Sequence, residues 1–300
     1  MAPRVLWISS LAFIVGAIGI GRAQNPPQPQ PIFRAATDAV RVDVSVRDGA
    51  RVVTGLGAGE FEVSDNGVLQ QVADVSYGKL PIDVTVALDV SLSVTGQLLA
   101  NLRRAILQLM SDLSAEDRLK LITFNMRVTR VVDFTTRAQD VESAIRATTA
   151  GGGTSVWDAI AVSLVSGAAA DRRQLVVLFT DGADSTSLAT PRLLVDIAQR
   201  SNTSLTSVVP SALAVAGVRG DPRGRIVALQ QVGAETGGSV IPVGNDLTAT
   251  FRRALDEFRS SYVLHFIPTG ITRAGFHTLN VKVKGQPKLT LRARRGYFVD

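Results

Sequence analysis

The sequence contains no cysteine among its 300 residues. Disulfide bonds, thiol catalysis, zinc sites built on thiolates and lipid attachment at a cysteine are therefore excluded, and stability must come from the core alone. Histidine is nearly absent, since only His265 and His277 occur. Both fall in a C-terminal stretch of alternating apolar and polar residues, so we expect them to have structural roles at surface or half-buried positions.

Neither sign of charge dominates the chain. It has 32 Lys and Arg against 26 Asp and Glu, which gives a formal net charge of +6. The arginines are scattered and are not interleaved with aromatic residues, whereas a nucleic-acid interface concentrates basic residues on one patch. We therefore expect a solvated surface and no nucleic-acid partner.

Long apolar runs are also missing, with one exception near the first residue. Arg4 precedes the run VLWISSLAFIVGAIGIG, and the small residues Gly21 and Ala23 flank Arg22. This pattern is typical of a secretory signal peptide, so we predict cleavage after Ala23 and export to the periplasm or the extracellular space, with no membrane span afterwards. A retained membrane anchor is the alternative, because the run approaches the length that spans a bilayer.

The segment that follows divides into a spacer and a β module. Residues 24–31 are rich in proline and glutamine, which favours an extended spacer. In residues 32–79, apolar and polar residues alternate around the turn signals Asp48-Gly49 and Asn66-Gly67, as in antiparallel strands. GLGAGE in this part indicates a turn rather than a phosphate loop, because no helix follows it.

Residues 80–260 change to apolar strands that alternate with amphipathic helices. This order predicts an α/β fold with a doubly wound, mainly parallel six-stranded sheet and helices on both of its faces. Residues 261–300 return to strand-like alternation, with YVLHFIP, FHTLNVKVKG and KLTLRARRGYF predicted as three antiparallel strands. We expect them to pack with the N-terminal strands, so that both chain ends build one small antiparallel β module.

Polar residues cluster where three segments of the α/β part would meet. Asp89 ends the first strand and is followed by Ser91 and Ser93, Thr154 lies in a glycine-rich loop before a helix, and Asp181 ends the strand LVVLFTDG. Ligands of open α/β sheets bind beyond the carboxyl ends of the strands. Two carboxylates and three hydroxyls form an all-oxygen set that suits a hard divalent cation such as Mg²⁺.

Each residue alone has a simpler interpretation. Asp89 could cap a helix, Thr154 could be the N-cap of the helix that follows it, and Asp181-Gly182 could be an ordinary turn. Together the three segments favour the metal site, because Asp89 and Asp181 each end a predicted strand and Thr154 precedes a predicted helix.

In this order and spacing, DVSLS, GGGTSVWDAI and FTDG resemble the three ligand segments of the von Willebrand factor type A domain over about residues 80 to 260. The resemblance implies a metal-ion-dependent adhesion site in which Ser91, Ser93 and Thr154 offer hydroxyls and Asp89 and Asp181 bind the ion directly or through water. Mg²⁺ is the implied ion, with Mn²⁺ or Ca²⁺ as alternatives, and the implied partner is a protein presenting an Asp or Glu carboxylate. The flanking strands are similar to those of exported bacterial proteins, common in acidobacteria, that carry a divergent domain of this type.

The function expected from these features is that of an exported adhesion or protein-interaction module without enzymatic activity. A structural envelope or scaffold protein with a stabilising or vestigial metal site is the alternative, and a metal-dependent hydrolase is a further one. A phosphatase of the haloacid-dehalogenase type needs a second aspartate where this chain has Ser91. The G-x-S-x-G motif of many serine hydrolases does not occur in the sequence.

Overall fold

The computed structural model describes residues 39–78, 80–166, 169, 171–181, 184–211, 224–244, 246–272 and 274–299. The predicted signal peptide and spacer lie outside the described residues, as does the start of the predicted β module at 32–38. The described residues belong to one compact unit. None of the helices in this part of the chain combines the length and the apolar character of a membrane span.

The secondary structure of the described residues consists of strands and helices in the following order along the chain. The strands are β1 (Val40–Asp48), β2 (Arg51–Val52), β3 (Phe61–Asp65), β4 (Val68–Gln70), β5 (Val72–Tyr77), β6 (Ile82–Asp89), β7 (Arg118–Phe124), β8 (Val128–Thr135), β9 (Arg173–Phe179), β10 (Thr203–Pro210), β11 (Ser239–Val243), β12 (Tyr262–Phe266), β13 (Gly275–Val283), β14 (Thr290–Ala293) and β15 (Gly296–Val299). The helices are α1 (Gly96–Asp112), α2 (Ala138–Ala147), α3 (Val156–Val165), α4 (Pro191–Arg200), α5 (Arg225–Glu235) and α6 (Leu247–Arg259).

The central sheet has six strands in the order β11, β10, β9, β6, β7, β8. All neighbours are parallel except β8, which runs antiparallel to β7. A turn of only three residues, 125–127, joins β7 to β8, and parallel neighbours would need a crossover connection of a dozen residues or more. The predicted α/β fold with a mainly parallel six-stranded sheet is confirmed.

Helices cover this sheet on both faces. Every residue of β6 and β9 is buried, which is why both strands are nearly continuous apolar runs. One face of the sheet packs against α1, α2 and α6, and the other packs against α3, α4 and α5. The helix side chains at the centre of these two layers are Leu102, Val141 and Phe251 on the first face and Ile160, Leu194 and Leu229 on the second.

Strands from both ends of the described chain build the β module. One sheet has the order β14, β1, β12, β5 with β2 added to β1, and the other has the order β15, β13, β3, β4. Val44 of β1 pairs with Tyr262 of β12, and Val63 of β3 pairs with Val281 of β13. Apolar side chains of the two sheets form one shared core, so the expected β module from both chain ends is confirmed as a feature of the fold.

The segment KLTLRARRGYF differs from its prediction as a single strand. It forms β14 and β15, which belong to different sheets. Between them, the buried guanidinium of Arg294 donates to Gln199 O at 3.0 Å and to Asn202 Oδ1 at 2.8 Å. Burial lowers the pKa of Arg294 to about 10. Because this side chain is held by the α/β domain, the chain leaves one sheet here and joins the next.

The β module contacts the α/β domain at the amino-terminal ends of the parallel strands. Arg173, the first residue of β9, is fully buried and donates to Asp43 Oδ1 of β1 at 2.6 Å. It also donates to Phe258 O at 2.7 Å, and its guanidinium lies 4.1 Å from the centre of the Phe258 ring. The predicted metal ligands lie at the other end of the parallel strands, beyond their carboxyl ends.

Candidate metal centre at the carboxyl ends of the strands

Backbone hydrogen bonds join the three loops that carry the predicted ligands. Gly151 N donates to Val90 O at 2.8 Å, and Leu92 N donates to Gly152 O at 3.2 Å. Ser185 N donates to Thr154 O at 2.8 Å, which connects the loop before α3 with the loop after β9. The structure therefore brings together the segments of Asp89, Thr154 and Asp181, which are far apart in sequence.

Asp89, the last residue of β6, is fully buried. Its Oδ1 accepts a hydrogen bond from Ser91 N at 2.9 Å, and its Oδ2 accepts one from the Thr180 hydroxyl at 3.0 Å. Burial raises the pKa of Asp89, the hydrogen bonds from Ser91 and Thr180 lower it, and the Asp181 carboxylate raises it again, with a net rise. Asp181 acts in the raising direction because a second negative charge disfavours ionisation of Asp89.

The two serines that follow Asp89 point their hydroxyls at one place. Ser91 Oγ and Ser93 Oγ lie 3.1 Å apart, although Ser91 is buried and Ser93 is exposed. This proximity agrees with the interpretation of the alternate spacing, in which both hydroxyls can face one ion.

Thr154 is buried at the end of the glycine-rich loop, and its backbone N–H donates to Ser185 Oγ at 2.9 Å. Gly152 adopts a φ of +79°, a conformation that residues with a Cβ rarely take. A Cβ on Gly153 would lie 2.9 Å from Ser185 Oγ. The glycines are therefore needed for the close approach of this loop to the loop after β9.

The oxygen atoms of the five predicted ligands are of the kind that a hard divalent cation binds. The set offers carboxylate and hydroxyl oxygens, which are the ligands that Mg²⁺ prefers. Asp89 accepts hydrogen bonds from a backbone amide and a hydroxyl, and none of the described Lys or Arg side chains forms an ion pair with this buried carboxylate. A site built on three or more His, Cys, Asp or Glu side chains does not occur among the described residues either. That the five predicted residues bind a metal stays a prediction.

Sequence reasoning missed two residues that support these loops. Thr180 bonds Asp89 as described, and its position directly before Asp181 was an available signal. Asn125, directly after β7, donates from Nδ2 to Gly151 O at 2.9 Å and accepts at its backbone oxygen from Ser155 N at 2.7 Å. Both side chains are uncharged, and they support the site by these hydrogen bonds.

The alternative that Thr154 caps the following helix is wrong. The N-cap of α3 is Ser155, and its side chain makes no capping hydrogen bond. The first amides of α3 are instead bonded by the loop after β9, where Asp184 Oδ1 accepts from Val156 N at 2.8 Å and Ser187 Oγ accepts from Trp157 N at 3.0 Å. Asp158 holds the same loop by accepting from Ala189 N at 2.7 Å.

The two histidines lie away from this site, on strands of the β module. His265 is partly exposed on β12, whereas His277 on β13 is buried rather than half-buried as expected. Its Nδ1 lies 2.9 Å from Asp65 Oδ1, and the Tyr297 hydroxyl donates to Asp65 Oδ2 at 2.6 Å. Burial, together with the hydrogen bond to Asp65, raises the pKa of Tyr297. The three side chains link β3, β13 and β15 through one polar cluster.

Comparison with known proteins identifies one family. Residues 83–216, somewhat less than half of the chain, match the model of the von Willebrand factor type A domain. The inter-alpha-trypsin inhibitor heavy chain H4 of Sus scrofa is 25% identical over 174 residues, which are 54% of this chain and 18% of that protein. The human protein of the same name is 26% identical over 187 residues, 58% of this chain and 19% of that protein. This chain thus spans about a fifth of the length of these relatives.

Two solved structures match part of this chain at low sequence identity. An aerotolerance-related membrane protein from Bacteroides fragilis has a TM-score of 0.47 and 18% identity, covering 59% of this chain and 98% of that one. Proximal thread matrix protein 1 from the mussel byssus, with a zinc-occupied metal-ion-dependent adhesion site, has a TM-score of 0.48 and 13% identity, covering 59% and 48%. The family match and the observed sheet agree with the predicted resemblance: the chain carries a von Willebrand factor type A domain.

Proposed function

We propose that this protein is an exported interaction module that binds an acidic group of a protein partner through a divalent cation. The observation that carries the proposal is the convergence of Asp89, the paired Ser91 and Ser93 hydroxyls, and the loops of Thr154 and Asp181 at one edge of the sheet. Domains of this family commonly mediate protein interactions. We also propose that this chain is related to the exported acidobacterial proteins that carry a divergent domain of this type.

The proposed ligands to the cation are Asp89, Ser91, Ser93, Thr154 and Asp181, with Mg²⁺ as the expected ion and Mn²⁺ or Ca²⁺ as substitutes. Hydroxyl ligands carry no charge, so a cation with two carboxylates keeps Lewis acidity for a further oxygen ligand. Thr180 and Asn125 would hold the loops in place by the hydrogen bonds described above. The partner's carboxylate would be that further ligand.

Exposed apolar side chains lie on the loops that follow β6, β7 and β9 and suggest what accompanies the carboxylate. Leu92, Met126 and Leu188, which we call the apolar rim, are 70%, 60% and 94% exposed. Leu92 is bonded through its amide to Gly152, and a Cβ on Gly152 would lie 3.3 Å from Met126 Sδ, so these two flank the same loop. Exposed apolar residues grouped around a polar site are typical of an interaction surface. The expected partner segment therefore has an Asp or Glu flanked by apolar residues.

No catalytic role is part of the proposal. His265 and His277 lie on β12 and β13 of the module, and His277 is enclosed with Asp65 and Tyr297. Neither histidine is in place to act as a general base for a group bound at the ends of β6 and β9.

A peptide display library tests the proposal. Selected on the protein in Mg²⁺ and eluted with EDTA, the library is expected to yield sequences with an acidic residue flanked by apolar ones. The enrichment should disappear with Asp181→Ala and persist with Asp74→Ala, a control aspartate on β5 with a 69% exposed side chain. Leu92→Ser should weaken binding of the selected peptides severalfold without changing metal affinity.

Two outcomes would count against this function. Peptides that stay bound in EDTA, or that bind both aspartate variants equally, would contradict a metal-mediated contact. Metal binding that stabilises the fold without any metal-dependent peptide enrichment would instead favour the structural alternative with a stabilising site.

A further inference from the structure

A single basic residue lies in the described loops that carry or support the candidate metal centre. The described parts of these loops are residues 90–95, 125–127, 148–155 and 184–190, and Arg127 is the one Lys or Arg among them. Its charge is opposite to that of the carboxylate expected from a partner, so its position relative to the centre matters.

The backbone of Arg127 is fixed by Asn125. Asn125 N donates to Arg127 O at 3.1 Å, and Arg127 N donates to Asn125 Oδ1 at 3.1 Å. The same side chain donates to Gly151 O at 2.9 Å, and Gly151 N donates to the oxygen of Val90, the residue after Asp89. A short series of hydrogen bonds thus connects Arg127 with the segment that carries the first proposed ligand.

The turn that contains Arg127 lies against the glycine-rich loop. Asn125 and Arg127 are opposite each other across this turn, and residues at opposite positions of antiparallel strands point to the same face. Asn125 points toward Gly151, and a Cβ on Gly152 would lie 3.3 Å from Met126 Sδ. This puts the Arg127 side chain on the side of the glycine-rich loop, next to a member of the apolar rim.

Arg127 is exposed, and its guanidinium forms no ion pair with any of the residues that the structure describes. Asp184 of the neighbouring loop is already engaged, because it accepts from Val156 N and from the Ser187 hydroxyl. A guanidinium without an internal partner can donate two parallel hydrogen bonds to one carboxylate. Arg127 is therefore available to an acidic group that comes from outside the chain.

We infer that Arg127 selects partner segments with a second acidic residue, whose carboxylate pairs with its guanidinium while the first carboxylate binds the cation. The inference rests on the proposed function, since it concerns the same partner at the same site. Leu92 and Met126 would exclude water from the contact once a partner covers them, which strengthens a charged hydrogen bond. The partner class is then a segment with two carboxylates set among apolar residues.

Synthetic peptides with one central Asp flanked by leucines test this inference, with a single Glu or Gln placed at each other position in turn. Fluorescence polarisation in Mg²⁺ measures their affinity. At one position, Glu is expected to bind about tenfold tighter than Gln, since hydrogen bonds to charged groups are the strong ones. Arg127→Gln should remove this difference and leave the affinity of the Gln peptides unchanged. Arg127→Glu should reverse it, so that Lys at the same position binds tighter than Glu.

Arg137→Gln is the matched control. Arg137 also has an exposed side chain, at 73%, but it lies between β8 and α2, near the amino-terminal ends of the parallel strands. The substitution removes the same charge from the protein and should leave the preference for Glu intact. A preference that is lost equally in both arginine variants would overturn the assignment to Arg127.

The outcomes separate this inference from the function on which it rests. Mg²⁺-dependent binding with no position that prefers Glu would overturn the inference and leave the proposed function standing. Equal losses of Glu and Gln peptides in Arg127→Gln would also overturn it, since Arg127 would then act on the carboxylate at the ion. If none of the peptides binds in an Mg²⁺-dependent manner, the proposed function fails and this inference fails with it.

Discussion

Replacing Asp83 with asparagine is expected to lower the free energy of unfolding by about 3–5 kcal/mol, the usual cost of removing one partner from a buried ion pair. Asp83 is buried at the start of β6, and its carboxylate accepts from Arg118 Nε at 2.8 Å and from Arg172 Nε at 2.6 Å. Gln174 Nε2 donates to it as well, at 3.1 Å. Asparagine keeps the size of the side chain but leaves two guanidinium groups without their shared counter-charge. Urea denaturation measures the difference.

The matched control for this prediction is Asp48→Asn. Asp48 also pairs with an arginine, Arg51 at 3.5 Å, but its side chain is 59% exposed. Exposed ion pairs contribute about 0–1 kcal/mol, so the control should change stability little. Equal effects of the two substitutions would contradict the assignment of Asp83 as an anchor at the amino-terminal edge of the sheet.

The same aspartate gives a pH dependence with a defined sign. Burial acts to raise the pKa of Asp83, but the hydrogen bonds from Arg118, Gln174 and Arg172 outweigh it and hold the pKa below its usual value. The unfolded chain therefore binds a proton at a higher pH than the folded one, so this stabilisation is present above about pH 4 and is lost as the pH falls through the folded pKa. Asp83→Asn should flatten the acid limb of the stability curve.

Replacing Asp181 with alanine is expected to abolish saturable binding of Mg²⁺ and Mn²⁺ while the protein stays folded. The substitution removes one of the two carboxylates of the proposed site and also removes the repulsion that Asp181 exerts on Asp89. Titration calorimetry measures metal binding, and circular dichroism during heating measures the fold.

Asp184→Ala provides the contrast, because this aspartate lies three residues further along the same loop. It accepts from Val156 N and so caps α3. Losing a helix cap costs about 0.5–2 kcal/mol, so this variant should be less stable and yet still bind the metal. Retained binding in Asp181→Ala, or binding lost only in Asp184→Ala, would contradict the proposed ligand set.

The sequence predicts the sheet well because the relevant signals are local. β6 and β9 are covered on both faces and therefore appear as continuous apolar runs. Asp89 is the last residue of β6, and Asp181 lies two residues after the end of β9. The packing of the two chain ends was expected, but the pairing of β1 with β12 was not predicted, because neither segment contains a signal that specifies its partner strand. The resemblance to the family motif predicted which three segments would carry the ligands. The glycines before Thr154 indicated that the backbone of this loop lies close to a neighbouring segment.

The remaining features depend on contacts between distant residues. Asp184 caps α3 from 28 positions away, so a search for a capping residue next to the helix finds only Ser155. The break between β14 and β15 depends on Arg294 meeting Gln199 and Asn202 of the α/β domain. The buried pairing of His277 with Asp65 spans 212 positions, which is why the histidine was expected nearer to the surface.

The most direct test of the metal-dependent function is a crystal structure of the protein grown with Mn²⁺, with diffraction measured at a wavelength where manganese scatters anomalously. We expect one anomalous peak enclosed by Asp89, Ser91, Ser93, Thr154 and Asp181 at the carboxyl ends of β6 and β9. A saturated crystal with no peak at this position, or with its manganese bound only elsewhere, would contradict the account.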